Sequence, residues 1–394
     1  MEQGAARFGN FELTYEPLLE DADFIADLFG KSNIKQNKKA PFISSEKEGD
    51  VSELVLNYYS PYGCAGVAGD LKTNDDDKDG FVLEGEFAND SGEISYSFDT
   101  GKSWVEAHSK GGAFKLDLTP AFVCKYGWLI KITFKGKDAG LKSFKSRVTG
   151  QLSPASLPFV DGETDMTYSK DDTACLLYAP DITISEEELK RTTHSMDTYL
   201  SWSENISQHV NFGADNNGGV IFKVDVPNDL VFVKAGANFN ARRETTRNGV
   251  AFSIDDGATW ITACEQGIIS NEDFNEDFWG QGVEGVLDLR TGKAYSPGCT
   301  PVEGAIRETK FEPKAVKSVL VKFYTKSGNG KLVKIAGIYA HYKKEQKNAV
   351  KITHEWEGGK HEEPIKAGEK TKSYKVKGGA LNTNLSVTIE VPSK

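Results

Sequence analysis

"YSFDTGKSW" (96–104) and "FSIDDGATW" (252–260) carry a Ser, an Asp, a Gly and a Trp at identical spacing. A turn this specific, present twice, raises the question of whether its surroundings are duplicated too. Downstream, "WLIKITFKGKDAGLKSF" (128–144) aligns with "VLVKFYTKSGNGKLVKI" (319–335). Upstream, "GNFELTY" (9–15) matches "GETDMTY" (162–168), and "LVLNYYSPYGCAGVAGD" (54–70) runs parallel to "TYLSWSENISQHVNFGAD" (198–215). "FVLEGEF" (81–87) likewise corresponds to "VIFKVDV" (220–226). The order is the same in both halves, which marks an internal repeat.

Within each repeat, "EISYSF", "FKLDL" and "LIKITF" alternate apolar and polar side chains, the period of a strand with one buried face. Short strands between Gly, Asp, Asn and Ser turns predict an all-β fold of duplicated antiparallel β-sandwich modules. Each module carries one small helix. "LLEDADFIADLFG" ends at Gly30, and "SEEELKRTTHSMDTYL" opens with Ser185 and Glu188 in capping-box positions. The expected domains are 1–155, then 156–345 with an insertion at 265–299, then a short Ig-like C-terminal module at 346–394. That last piece is thin for an independent core, so it is expected to dock on the second repeat.

The two turns fit S-x-D-x-G-x-[ST]-W and resemble the Asp-box of sialidases and other β-propeller or sandwich proteins. In those families the motif is structural: Asp caps turn amides, Gly takes the positive φ, and Trp packs beneath. The longer run "KYGWLIKITFKGKDAGLKSFKSRVTGQLSPASLPFVDGETD" (125–165) is similar to sandwich modules of large secreted bacterial proteins, often labelled sialidase-like. The resemblance implies a surface or polysaccharide-related protein, and no activity.

"NDDDKDGFVLEGEF" (74–87) places Asp75, Asp77 and Asp79 on alternate positions before Gly80. This resembles the D-x-D-x-D-G calcium loop of EF-hands and dockerins, which would add the Phe81 carbonyl and a bidentate Glu86. The expected cofactor is a structural Ca2+. The flank "FVLEGEF" reads as a strand where those families have a helix. The corresponding "GADNNGG" of the second repeat lacks the acids.

Candidate ligand contacts gather in the second repeat. Its insertion holds Phe274, Phe278, Trp279 and Tyr295 among Glu272, Asp273, Glu276 and Asp277. Aromatic faces beside carboxylates suit sugar rings, and the same aromatics also suit packing the loop onto its own sandwich. Nearby Arg242, Arg243 and Arg247 suit the carboxylates or sulfates of acidic glycans. Glu272 and Asp277 would be the carboxylate pair of an alternative reading, a glycosidase or lyase on acidic polysaccharide. His108, His194 and His209 stand without a carboxylate or cysteine at a useful spacing.

A net charge of −11 argues against a nucleic-acid partner. The longest apolar runs are strand-sized, so no membrane-spanning helix is expected. "MEQGAARFGN" lacks the pattern of a secretion signal, which leaves a cytosolic chain or a mature extracellular segment. Cys64, Cys124, Cys175, Cys264 and Cys299 form no CxxC pair, and Cys264 with Cys299 would clip the insertion. The reading is a non-catalytic extracellular or cell-surface protein. Its partners would be polysaccharide or other copies of itself.

Overall fold

The computed structural model describes residues 6–7, 10–67, 80–151, 160–182, 185–196, 199–203, 207–211, 218–241, 246–267, 281–298, 305–326, 330–345, 347–378 and 384–391. The chain forms two compact units, Met1–Gly150 with Cys175–Tyr342, and Gln151–Ala174 with Lys343–Lys394.

The first unit holds both repeats, and the expected antiparallel sandwiches are present. In the first repeat one sheet runs Val105–His108, Glu93–Ser97, Gly127–Phe134, Ser52–Tyr59, Gly30–Ser32. The facing sheet runs Ala113–Asp117, Phe81–Phe87, Gly140–Gly150, Ile43–Ser45, Ile34–Gln36, with Phe11–Tyr15 also on Gly140–Gly150. Inward side chains of the two sheets share one core. Tyr58 stacks on Trp128 at 5.8 Å, and Phe81 and Phe122 meet the same indole at 5.0 and 5.1 Å. Burying side chains of this size contributes about 1.5–3 kcal/mol each.

The second repeat has the same strand order. One sheet runs Ile261–Gly267, Arg247–Ser253, Ser318–Lys326, Gly218–Asp225, Ser195–Met196. The other contains Gln281–Asp288, Leu230–Ala241, Gly330–Lys343, Ser207–Asn211 and Tyr199–Ser203 in that order, with Thr173–Tyr178 on Gly330–Lys343. Each repeat's helix, Ala22–Asp27 or Glu186–Thr192, leads into its edge strand. Asp21 and Ser185 cap them, accepting from the N–H of Asp23 and Glu188.

This topology corrects the upstream alignment. Ser52–Tyr59 is matched by Gly218–Asp225, Phe81–Phe87 by Leu230–Ala241, and Phe11–Tyr15 by Thr173–Tyr178. Strands of period two are interchangeable by pattern, so only the turn motif and the hairpin after it held register. The insertion is also partly scaffold. Gln281–Asp288 is a sheet strand in the place of Ala113–Asp117, carrying Val283 and Leu287 into the core.

Ser52–Tyr59 is buried on one face and half-buried on the other. Leu54, Leu56 and Tyr58 enter their own core, while Asn57 and Tyr59 reach the second repeat. The Asn57 amide donates to the Cys175 carbonyl at 2.9 Å and the Tyr342 hydroxyl at 3.3 Å. Tyr59 meets Tyr339 edge-on at 6.3 Å.

The second unit is built from two distant segments. Glu163–Ser169, expected to head the second repeat, pairs along its whole length with Thr371–Lys377. The other sheet runs Gly359–Ile365, Val350–Trp356, Asn384–Glu390. Val160, Trp356 and Val376, with Val350, Ile352 and Ile365, form its small core. Residues 151–174 therefore complete this unit rather than the repeats, and they supply the strand Glu163–Ser169 that 346–394 lacks alone.

Candidate functional site

Both Ser-Asp-Gly-Trp turns are locked by the same bonds. The Ser97 hydroxyl donates to Asp99 Oδ1 at 2.8 Å and accepts from the Gly101 N–H at 2.9 Å. Asp99 accepts from the Ser103 N–H at 2.8 Å and the Ser103 hydroxyl at 2.5 Å. In the second turn, Ser253, Asp255, Gly257 and Thr259 repeat these bonds at 2.7, 2.8, 2.9 and 2.6 Å. Gly101 and Gly257 both have φ +90°. Each tryptophan lies under a lysine, Trp104 under Lys131 at 4.3 Å and Trp260 under Lys322 at 5.5 Å. The hydrogen bonds from Thr259 and Ser253 hold the Asp255 carboxyl down at about 2. Both aspartates are thus committed to shaping backbone.

The first turn also ties the repeats together. Arg191 approaches Asp99 at 3.6 Å, and the Lys102 ammonium donates to the Thr192 carbonyl at the end of Glu186–Thr192. Lys102 sits over the Tyr178 ring at 4.5 Å. Burial lowers its pKa below the usual lysine range, while Asp99 and Asp225 pull the other way.

Beside this contact lies a cleft of ≈ 270 Å³ lined by Thr100, Gly101, Lys102, Thr193, His194, Lys223 and Asp225. Asp225 also borders a second cleft of ≈ 440 Å³, with Val226, Ser253, Ile254, Asp256, Val316, Ser318 and Leu320. Lys223 stands between two carboxylates, 3.4 Å from Asp256 and 4.0 Å from Asp225. The two clefts share Asp225 as a lining residue, the first bordering the first repeat's turn and the second the second repeat's turn. The first is lined with amines and hydroxyls, and the second adds the apolar side chains of Ile254, Val316 and Leu320.

Of the site residues expected from sequence, Phe81, Glu86, Arg247 and Tyr295 are described, and none of them lines these clefts. Asp75, Asp77, Asp79, Arg242, Arg243, Glu272, Phe274, Asp277, Phe278, Trp279 and Cys299 lie outside the described residues. Phe81 and Glu86 are both on Phe81–Phe87, where residues five apart are separated by about 17 Å and point to opposite faces. Phe81 is fully buried and its carbonyl accepts from the Leu118 N–H at 2.8 Å. Glu86 is ion-paired with Lys142 at 2.6 Å on the outer face. These two do not converge on one ion, so the ligand set taken from EF-hands does not transfer to this strand.

Arg247 opens the strand Arg247–Ser253, opposite Gly267 and Lys326. Beside it, Glu265 is held by the Tyr324 hydroxyl and the Lys326 ammonium, each at 2.6 Å. Tyr295 pairs across from Val286 and Glu308 in Lys293–Tyr295, at the far end of the other sheet. Cys264 is buried, and Cys299, its expected partner, lies outside the described residues. The clefts were missed in the sequence because five separated segments build them. The signal was the turns themselves, whose non-motif residues Thr100, Lys102 and Asp256 face them.

No family model matches the chain, and no curated protein does. Solved structures similar to it include the N-terminal CBM22-1-CBM22-2 tandem domain of Paenibacillus barcinonensis Xyn10C, at 7% identity over 86% of this chain and 100% of that one, with a TM-score of 0.25. Another is the Arthrobacter globiformis T6 isomalto-dextranase complexed with panose, at 10% identity over 74% of this chain and 35% of that one, with a TM-score of 0.23. Likeness this distant carries no argument about the ligand. No described helix is long and apolar enough to cross a membrane.

Proposed function

We propose that this is a non-catalytic binding protein that takes a polysaccharide chain in the clefts beside its two turns. The observation that supports this is that Asp225 lines both clefts, with Lys223 beside it in the first. A pyranose offers hydroxyls on its rim and C–H groups on its faces. Amines, carboxylates and hydroxyls at fixed positions match the rim, and Ile254, Val316 and Leu320 match a face. Lys223, already balanced between Asp225 and Asp256, presents a preorganised donor rather than a charge that must be ordered on binding.

Affinity electrophoresis against neutral and acidic polysaccharides tests this. Retardation on at least one polysaccharide is expected, and Lys223→Gln and Asp225→Asn should each weaken it about tenfold, the loss of one charged hydrogen bond. Retardation on none of them, or retardation that ignores both substitutions, would overturn the reading.

An extracellular or cell-surface setting and a structural calcium at Asp75, Asp77 and Asp79 belong to the same proposal, without Phe81 and Glu86 as ligands. Calcium is expected to raise the Tm of the wild type and not that of Asp77→Asn. An unchanged wild-type Tm in millimolar calcium would remove the metal from the proposal.

A further inference from the structure

The second unit's small sandwich treats its edges differently. Along Gly359–Ile365 the edge carries Lys360, Glu362 and Pro364, charges and a proline of the kind that blocks further pairing. Along Glu163–Ser169, Glu163 and Asp165 are ion-paired to Lys375 across the strand. Thr371–Lys377 is clasped to the facing sheet by Lys372, which pairs with Glu363 at 2.5 Å and donates to the Pro364 carbonyl at 2.7 Å.

Asn384–Glu390 has no such guard. It pairs on one side with Val350–Trp356. Its polar face is already satisfied within its own sheet, Glu390 by Lys351 at 2.6 Å and Ser386 by Glu355 at 2.9 Å. On the other face, Val387 packs against the core, yet Ile389 and Val391 are 63% and 60% exposed. They are the two most exposed large hydrophobics among the described residues. Ile389 lies directly across from Ile352, which is 4% exposed, so it belongs to the inward face but extends past the cover.

We infer that this edge pairs with the same edge of a second copy, antiparallel, about a two-fold axis at Thr388. The sequence L-x-V-x-I-x-V (385–391) is symmetric about that residue. In this register Val387 meets Ile389 and Ser386 meets Glu390. Apolar side chains then face apolar ones, no like charges stand opposite, and each Glu390 keeps its own Lys351. The alternation stays in phase, so the two three-stranded sheets join into one of six strands. The edges Glu163–Ser169 and Gly359–Ile365 are not self-complementary in this way, since they would bring acids and a proline into the pairing.

Sedimentation of the full-length chain over a concentration series tests the inference. A concentration-dependent dimer is expected for the wild type, and Ile389→Lys should shift the dissociation constant at least tenfold toward monomer with its Tm unchanged. Thr388→Cys should give a cross-linked dimer under a mild disulfide oxidant, which the wild type and Ser386→Cys do not. Lys223→Gln should leave the dimer intact, which separates this edge from the clefts. A wild type that stays monomeric throughout, or a dimer indifferent to Ile389→Lys, would overturn the inference.

Discussion

Gly80→Ala is expected to destabilise the first unit strongly, through steric clash and backbone strain at once. Gly80 has φ +128°, in the region that L side chains rarely adopt. A Cβ there would lie 1.8 Å from Thr119 Oγ1, 2.3 Å from its Cγ2 and 2.4 Å from its Cβ. Thr119 is not free to withdraw, because its hydroxyl accepts from the Phe81 N–H at 3.2 Å and it opens the helix Thr119–Phe122. Overpacking and backbone strain together amount to about 3 kcal/mol. In a unit of this size that lowers the Tm by roughly 5–10 °C, which calorimetry resolves. The same loss is expected with and without calcium, since Thr119 is the obstruction. Adding Thr119→Gly, which removes all three crowded atoms, should recover part of it. A variant that melts with the wild type would show that the strand end shifts at no cost.

Asp99→Ala is expected to have the second-largest effect and to exceed Asp255→Ala, although the two turns have the same bonds. Removing the Asp99 carboxylate strands the Ser103 N–H, the Ser103 and Ser97 hydroxyls and the approach of Arg191. Leaving half-buried donors unmet in this way costs about 2–3 kcal/mol. Burial pushes the Asp99 carboxyl upward, but bonds from Ser103 and Ser97 and the Arg191 charge outweigh it and hold the group below the usual carboxylate range. A depressed folded value gives stability that is present at neutral pH and is lost as pH falls from about 4 through the folded value. In thermal melts from pH 7 to pH 3 the gap between wild type and Asp99→Ala should therefore narrow toward the acid end. Equal losses at Asp99 and Asp255 would mean that the contact between repeats adds nothing.

What could be read from the sequence was whatever the backbone writes locally. Ser97, Asp99 and Gly101 announce a turn, because hydrogen bonds within seven residues dictate the first two identities and a positive φ the third. Ser185 and Glu188 announce a helix start for the same reason. Alternation in "LIKITF" announced a strand but not its neighbours, and so Gly218–Asp225 was matched to the wrong partner. Gly80 was noticed as a bend for a metal loop, whereas its need for no side chain is set by Thr119, 39 positions away. The clefts were illegible on the same grounds. Lys102, His194, Lys223 and Asp256 carry no spacing that joins them, and only the packing of one repeat on the other brings them together.

The split construction of the second unit sets an order of events on the ribosome. Glu163–Ser169 leaves the exit tunnel roughly 200 residues before Thr371–Lys377, an interval of about 10–40 s at ordinary elongation rates. Throughout that time the second repeat can fold while the strand preceding it waits as an unpaired, acidic and alternating segment. Its Glu163 and Asp165 keep it soluble during the wait, and Lys375 and Lys377 later arrive as their counter-charges. A strand made some 200 residues later thus closes the sheet that Glu163–Ser169 opens, and a product stalled between the two would betray itself through that one exposed strand.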